Sequence, residues 1–156
     1  MSSISYALWA FCAGALIPLM AILNAGLARG AGGAVQATLL LFGTSFIATL
    51  LFAVVTATPL PGLHALARVA PAHYAGGLIV GFYILSITSL APRFGVGNAI
   101  LFAVTAQLLT SAAIDHFALA GAIARPLTTL RMIGLLVVIV GVVITQASDR
   151  IFPVAR

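Results

Sequence analysis

The stretch that decides the fold runs from Asn98 to Phe117 and reads NAILFAVTAQLLTSAAIDHF. It is apolar over a length that crosses the hydrocarbon core of a bilayer as a helix. Within it, Gln107, Ser111 and Asp115 recur every four residues, which places them along one face of that helix. A carboxylate at the end of a membrane helix is costly unless it faces protein or water. This polar face is therefore the first candidate for a functional surface.

The composition of the whole chain places it in a membrane. Of its 156 residues, 63% are hydrophobic and 6% are charged, and the mean hydropathy is +1.25. Soluble domains carry about 25% charged residues, and a chain this small could not hide so much apolar surface from water. Lipid is the solvent that fits, so membrane lipids are the first expected partner.

The charged residues are few and mostly of one kind. Seven arginines and two aspartates give a net charge of +5, and the chain contains no lysine and no glutamate. Because the arginines are scattered singly and form no basic patch, we expect no nucleic-acid partner. We expect them instead to anchor the ends of the helices in the headgroup layer.

Five apolar segments predict five transmembrane helices within a single domain that covers residues 1–156. Glycine- and proline-rich connections separate these segments, and each segment is long enough to span a bilayer. The predicted helices cover about residues 5–27, 34–57, 74–90, 98–117 and 130–146. The expected fold is thus an all-α integral membrane bundle of five helices, followed by a short, polar and mobile tail from Ala147 to Arg156.

Polar or helix-breaking residues inside the first and third spans are further candidates. Pro18 cannot donate the backbone hydrogen bond to the carbonyl of Gly14, and Asn24 adds an amide further along. Two interpretations stay open: a kinked helix that lines a cavity, or a kink that neighbouring helices satisfy. Tyr83 needs a partner for its hydroxyl and either faces the interior of the bundle or bonds to one neighbouring carbonyl.

The end of the fourth span places a carboxylate beside an imidazole, at Asp115 and His116. Such a pair can exchange protons near neutral pH, or the carboxylate can bind a solute. The alternative is a structural ion pair between Asp115 and either Arg125 or Arg131 across the following loop. The two roles are compatible, because an arginine can be released when its carboxylate partner binds something else.

Small residues mark two candidate packing surfaces. Gly43–Ser45 in the second span would let helices approach closely or would contact a ligand. Gly134 and Gly141 lie one heptad apart on one face of the fifth span, with only aliphatic residues between them. This face predicts a helix–helix contact, either within the bundle or between subunits.

The arginines favour neither orientation of the chain in the membrane. With five spans, three arginines lie on the side of the N-terminus and four on the other side, so the positive-inside rule assigns no direction. A chain of this kind can insert both ways, and two opposite copies would recreate the inverted repeats of many transporters. We therefore predict a homodimer, with an antiparallel (dual-topology) arrangement as the specific hypothesis.

Several motifs occur in a characteristic order along almost the whole chain. They are Gly14-x-x-x-Pro18 with Asn24, Gly81-Phe82-Tyr83, Pro92-Arg93-x-Gly95, Gln107-Leu108-Leu109, Asp115-His116-Phe117, Arg125-Pro126 and Arg131-x-x-Gly134 with Gly141-Val142. This order resembles the YdcZ-like (DUF606) family, a group of short five-span bacterial proteins in the drug/metabolite transporter superfamily. The resemblance implies a fold related to the half-units of those transporters, a location in the bacterial inner membrane, and the transport of drug-like or metabolite solutes.

Our working hypothesis is a small secondary transporter, or half-transporter, that moves a small solute by alternating access as a dimer. The candidate solute or proton site residues are Gln107, Ser111, Asp115, His116, Tyr83, Asn24 and Pro18. The alternative is a non-transporting scaffold or accessory subunit of a larger complex. We expect no enzyme activity, metal site or cofactor, because the sequence shows neither a carboxylate pair within the spans nor a set of metal ligands.

Overall fold

The fold is that of a computed structural model, which describes the backbone of residues 3–151 and the side chains of residues 3–148. Its helices are α1 (Ser3–Ala31), α2 (Ala34–Val55), α3 (Leu63–Ala67), α4 (Ala75–Phe94), α5 (Val96–Phe117) and α6 (Thr129–Ile151). Two 3₁₀ turns, Pro71–Tyr74 and Leu119–Gly121, lie in the connections. Five of the helices are long and apolar enough to cross a membrane. The predicted all-α, five-span fold is confirmed.

Helix ends differ from the prediction where a proline or a polar residue was given too much weight. We expected the third span to end at residue 90, yet α4 continues through Pro92 to Phe94 and is capped by Gly95, whose φ of 88° is left-handed. A proline in the last turn forfeits one backbone hydrogen bond without forcing the chain out of the helix. Likewise, α6 covers Ala147 to Ile151, so this part of the predicted mobile tail is helical. The rest of that tail, with Arg156, lies outside the described residues.

The first of two compact units ends at Val96 and contains α1, α2 and α4 packed against one another. Small residues dominate this contact, because short side chains let membrane helices approach closely. The buried residues are Ala21, Asn24, Ala25, Ala37, Thr38, Ile84, Ile87, Thr88 and Ala91. Most of the large apolar side chains are exposed, as expected for helices that face lipid.

The connection between α1 and α2 is a tight glycine turn. Gly32 and Gly33 have φ values of 94° and 148°, which other residues rarely adopt. A Cβ at Gly33 would also lie only 2.9 Å from Oε1 of Gln36. This turn brings α2 back antiparallel to α1. Residues from the last turns of α1 and α4 line one groove, so the C-terminal ends of these two helices lie at the same end of the first unit.

The second unit begins at Gly97 and contains most of α5 and all of the described part of α6. The two helices run antiparallel, and side-chain contacts join them at both ends. At one end, Nε2 of Gln146 donates to Oδ1 of Asn98 at 2.9 Å. At the other end, Arg131 pairs with Asp115. The single domain predicted for the whole chain stays a prediction.

A helix-packing substitution tests the architecture of the first unit. Ala37 on α2 is 0% exposed, so the change Ala37→Leu forces a larger side chain into the contact and should destabilise the protein by about 1–3 kcal/mol. Ala48→Leu is the matched control, because Ala48 lies on the same helix and is exposed. Thermal unfolding of the purified protein in detergent measures both variants. Equal Tm values for the two would contradict the packing described here.

Candidate functional site

A buried amide joins α1 to α4 in the first unit. Asn24 is 3% exposed, and its Nδ2 donates a hydrogen bond to Oγ1 of Thr88. That hydroxyl in turn donates to the carbonyl of Ile84 at 2.8 Å. Oδ1 of Asn24 is buried and accepts no hydrogen bond within the described part of the chain. Since an unsatisfied buried acceptor costs about 1–3 kcal/mol, this oxygen is the strongest candidate in the unit for contact with a ligand or water.

Asn24 is one of the residues that line a groove between α1 and α2. Its volume is about 220 Å³, enough for several water molecules at about 30 Å³ each. The lining residues are Met20, Leu23, Asn24, Leu27, Leu41 and Thr44. The Thr44 hydroxyl donates to the carbonyl of Leu41 at 2.9 Å, so it can still accept a hydrogen bond. We call this the amide groove.

A second groove lies on the other side of Thr88, at the C-terminal ends of α1 and α4. Its volume is about 310 Å³. The lining residues are Ala25, Ala28, Arg29, Ala34, Thr88, Ser89, Pro92 and Arg93. We call this the arginine groove. Its two guanidinium groups make it chemically distinct from the largely apolar amide groove.

The other candidates of the first unit lie apart from these two grooves. α1 continues through Pro18, which is half-buried and lies about two turns before Asn24. Tyr83 is also half-buried, and its hydroxyl makes no hydrogen bond to any described residue. Gly43 is exposed, with nothing within 4 Å of a Cβ built on it, whereas the neighbouring Thr44 lines the amide groove. This patch therefore makes no close helix contact at Gly43 within the described chain, and a ligand role for it stays a prediction.

In the second unit, the structure shows the ion pair between Asp115 and Arg131. Oδ2 of Asp115 accepts from Nη2 of Arg131 at 2.7 Å, and the two side chains are 30% and 31% exposed. Nη1 of Arg131 also donates to the carbonyl of Arg125 at 3.2 Å, and the Arg125 N–H donates to the carbonyl of Asp115 at 2.9 Å. Arg125 thus contributes backbone groups to this cluster. A proton or solute role for Asp115 stays a prediction.

The remaining residues of the predicted polar face differ in their hydrogen bonding. Nδ1 of His116 accepts from the Leu127 N–H at 3.2 Å, which ties the loop between α5 and α6 to the end of α5. The Ser111 hydroxyl donates to the carbonyl of Leu108 at 3.0 Å. Gln107 is exposed at the middle of α5, and its amide has no hydrogen-bond partner among the described residues. In hydrocarbon an unpaired amide is costly, so Gln107 requires a second subunit, a solute or water.

Two hydrogen bonds between side chains of different helices were not predicted from the sequence: Gln146 with Asn98, and Asn24 with Thr88. Asn98 and Gln146 stand at the same end of neighbouring antiparallel spans, a pattern that could have indicated their hydrogen bond. Asn24 and Thr88 are 64 positions apart. Their contact could not be predicted without knowing that α1 and α4 are neighbours.

The two glycines of α6 are open. Gly134 and Gly141 are exposed, and a Cβ on either would have nothing within 4 Å. The predicted contact with another helix is therefore not made within the described chain, and it stays a prediction for a second copy. Among the residues whose placement is described, no three His, Cys, Asp or Glu side chains come together as metal ligands.

Comparison with known proteins identifies the family. The family model described as "Putative inner membrane exporter, YdcZ" matches residues 5–144. The chain belongs to the YdcZ family. This match confirms the resemblance seen in the motifs, and together with the five candidate spans it identifies a multi-pass membrane transporter of the inner membrane. No curated protein and no solved structure matches the chain.

A double-mutant cycle tests the ion pair of this YdcZ-family chain. Asp115→Asn and Arg131→Gln should each lower the free energy of unfolding by roughly 1 kcal/mol, since the pair is only partly shielded from water. The double variant should lose less than the sum of the two, because both remove the same interaction. Ser111→Ala is the control, as its hydroxyl bonds only its own helix. Strictly additive losses in detergent unfolding would show that the two side chains do not interact.

Proposed function

We propose that the chain is one subunit of a dimeric secondary exporter that moves a small polar solute by alternating access. The observation that carries this proposal is the buried, unpaired Oδ1 of Asn24 beside the amide groove. A solute with an N–H or O–H group would satisfy that oxygen, whereas the apolar walls of the groove would contact its carbon skeleton. Family membership supports the transport role itself.

The surroundings of Asn24 support a site that changes with conformation. Its Nδ2 ties α1 to α4 through Thr88, so a donor on Oδ1 would act on the same amide that holds these helices together. Pro18 lies earlier in α1 and leaves one backbone carbonyl without its usual donor, which is a common cause of helix bending. A ligand shifts an equilibrium only through different contacts in the two states, and this amide can provide such a difference.

The end of the second unit supports a coupling role for Asp115 and His116. A proton on the Asp115 carboxylate would remove the negative charge that pairs with Arg131. A proton on Nδ1 of His116 would remove the acceptor of the Leu127 N–H. Both protonations would therefore loosen the same loop between α5 and α6. We propose that proton binding and the ion pair exclude each other, so that Arg131 is released when Asp115 takes up a proton.

A flux assay in proteoliposomes tests this function. A trapped pH-sensitive dye reports proton movement when cationic, anionic and neutral solutes are added in turn. Asn24→Leu should lower the solute-dependent signal roughly tenfold or more, in proportion to the loss of a buried hydrogen bond. Asp115→Asn should abolish the coupled signal at similar protein yield. Thr49→Val is the control, because this exposed hydroxyl bonds only the carbonyl of Ser45.

Two results of that assay would count against the proposal. Unchanged flux in Asn24→Leu would remove the amide groove as the solute site. If wild type is silent for every solute, and uncoupled flux of labelled solutes is absent too, the accessory-subunit alternative is favoured.

Cross-linking tests the dimer and its direction. The change Cys12→Ser removes the one cysteine of the chain. In that background, Gly134→Cys and Gly141→Cys each place a single thiol on the open face of α6. A parallel pair of α6 helices brings like positions together, so each variant cross-links with itself. In an antiparallel pair, position 134 of one copy faces position 141 of the other. Cross-links then form only when the Gly134→Cys and Gly141→Cys variants are co-expressed. Leu136→Cys, on the opposite face, is the control. No cross-link above this control would contradict a dimer through α6.

A further inference from the structure

The arginine groove lies where the last turns of α1 and α4 meet the start of α2. Arg29 stands in the last turn of α1, and Arg93 stands in the last turn of α4. Both line the same groove of about 310 Å³. Their positions at the ends of two spans place them near the headgroup layer of a membrane.

Neither guanidinium has a counter-charge in its own unit. The two aspartates of the chain, Asp115 and Asp149, both come after Gly97, so the first unit has no acidic residue. Arg29 and Arg93 make no ion pair or side-chain hydrogen bond to any residue that the structure describes. Two positive charges therefore share one groove without compensation from any side chain that the structure describes.

The arginines whose guanidinium groups have described partners, Arg131 and Arg68, differ from this pair. Arg131 is paired with Asp115. Nη2 of Arg68, in the connection before α4, lies 2.9 Å from Nε2 of His64. Unpaired guanidinium groups that line a common groove are thus a particular feature of Arg29 and Arg93, and not a property of every arginine in the described chain.

The hydroxyl groups that line the groove already donate hydrogen bonds to their own helix, so the two guanidinium groups are its free side-chain donors. The hydroxyls of Thr88 and Ser89 donate to the carbonyls of Ile84 and Leu85, each at 2.8 Å. The other lining residues are three alanines and Pro92, which offer no side-chain polar atom. A ligand in this groove would accordingly be an acceptor, and two guanidinium groups favour an acceptor that carries negative charge.

Because Gly26 has no side chain, the Arg29 side chain can fold back along α1 toward it. A Cβ built on Gly26 would be 3.6 Å from Nη2 of Arg29, so the guanidinium rests over the glycine and does not extend away from the helix. Ala28 and Ala34 line the groove as well, and their short side chains keep its volume open.

We propose that the arginine groove binds a phosphate group. Guanidinium matches phosphate through paired, charge-assisted hydrogen bonds, and the groove offers two such groups with no carboxylate among its lining residues. The phosphate belongs either to an anionic lipid headgroup or to a phosphorylated soluble solute, and the two sources share the chemistry recognised here. The proposal does not depend on the transport function, because binding is measured without flux.

Two binding experiments on the full-length protein in neutral detergent separate the sources. Equilibrium dialysis with radiolabelled inorganic phosphate measures the soluble source. Native mass spectrometry with an equimolar mixture of phosphatidylglycerol and phosphatidylcholine measures selective retention of the anionic lipid. Arg29→Gln and Arg93→Gln should each weaken binding about tenfold, and the double variant should weaken it further. Arg68→Gln is the matched control and should leave binding unchanged.

The experiment in which binding is lost identifies the source of the phosphate. A loss confined to phosphate dialysis supports a soluble phosphorylated ligand, and a loss confined to phosphatidylglycerol supports a lipid headgroup. Wild-type affinity of the double variant in both experiments overturns the proposal, as does an equal loss in Arg68→Gln, which would indicate general surface charge. If the double variant fails to fold, Ala28→Phe decides the question. This change fills the groove with both arginines in place, so it must weaken binding, and unchanged binding overturns the proposal.

Discussion

The need to satisfy polar groups away from water is the constraint on which the rest of this structure depends. In hydrocarbon, a hydroxyl or amide without a partner is costly. Five threonines in different parts of the spans solve this in the same way, each donating at 2.8 Å to the carbonyl four residues earlier. They are Thr38, Thr49, Thr88, Thr105 and Thr145. Hydroxyls used in this way have committed their single donor and keep only acceptor capacity, so unmet polar requirements concentrate on the few amides and charges that the helices do not satisfy themselves.

The lipid environment also explains why the helices inside each of the two units are joined by different kinds of contact. Lipid chains are as apolar as leucine, so burial of large apolar side chains brings helices together only weakly in a membrane. The first unit packs through small residues such as Ala21 and Ala37, and a single amide contact between Asn24 and Thr88 adds specificity. The second unit has polar side-chain contacts at both ends of α5 and α6. Polar contacts there fix the register of two helices whose faces between those ends are mostly aliphatic.

The spans were predictable from sequence because each is a long apolar run. Length and hydropathy identify such a helix without any knowledge of its tertiary contacts. Among the polar side chains, Asp115 had a partner that the sequence offered, Arg131 across the following loop. Most other partners were not predictable, because spacing defines a face without showing what that face meets. Ser111 lies on the predicted polar face, yet its hydroxyl bonds Leu108 in the preceding turn. Arg29 and Arg93 read as separate membrane anchors in the sequence. Their shared groove became visible only when α1 and α4 proved to end on the same side.

Under the proposed function, the unpaired Oδ1 of Asn24 suits an exporter because the free energy gained by pairing it is modest. A hydrogen bond gained by a buried acceptor is worth about 1–3 kcal/mol, which corresponds to a roughly 5–150-fold difference in affinity between two conformations. A difference of that size is enough to bias an equilibrium while still allowing the solute to leave. A fully paired amide would add rigidity without recognition, whereas a buried charge would hold an opposite charge too firmly for rapid release. Gln107, at the middle of α5, likewise has no hydrogen-bond partner among the described residues, so the second unit carries an amide with a similar unmet requirement.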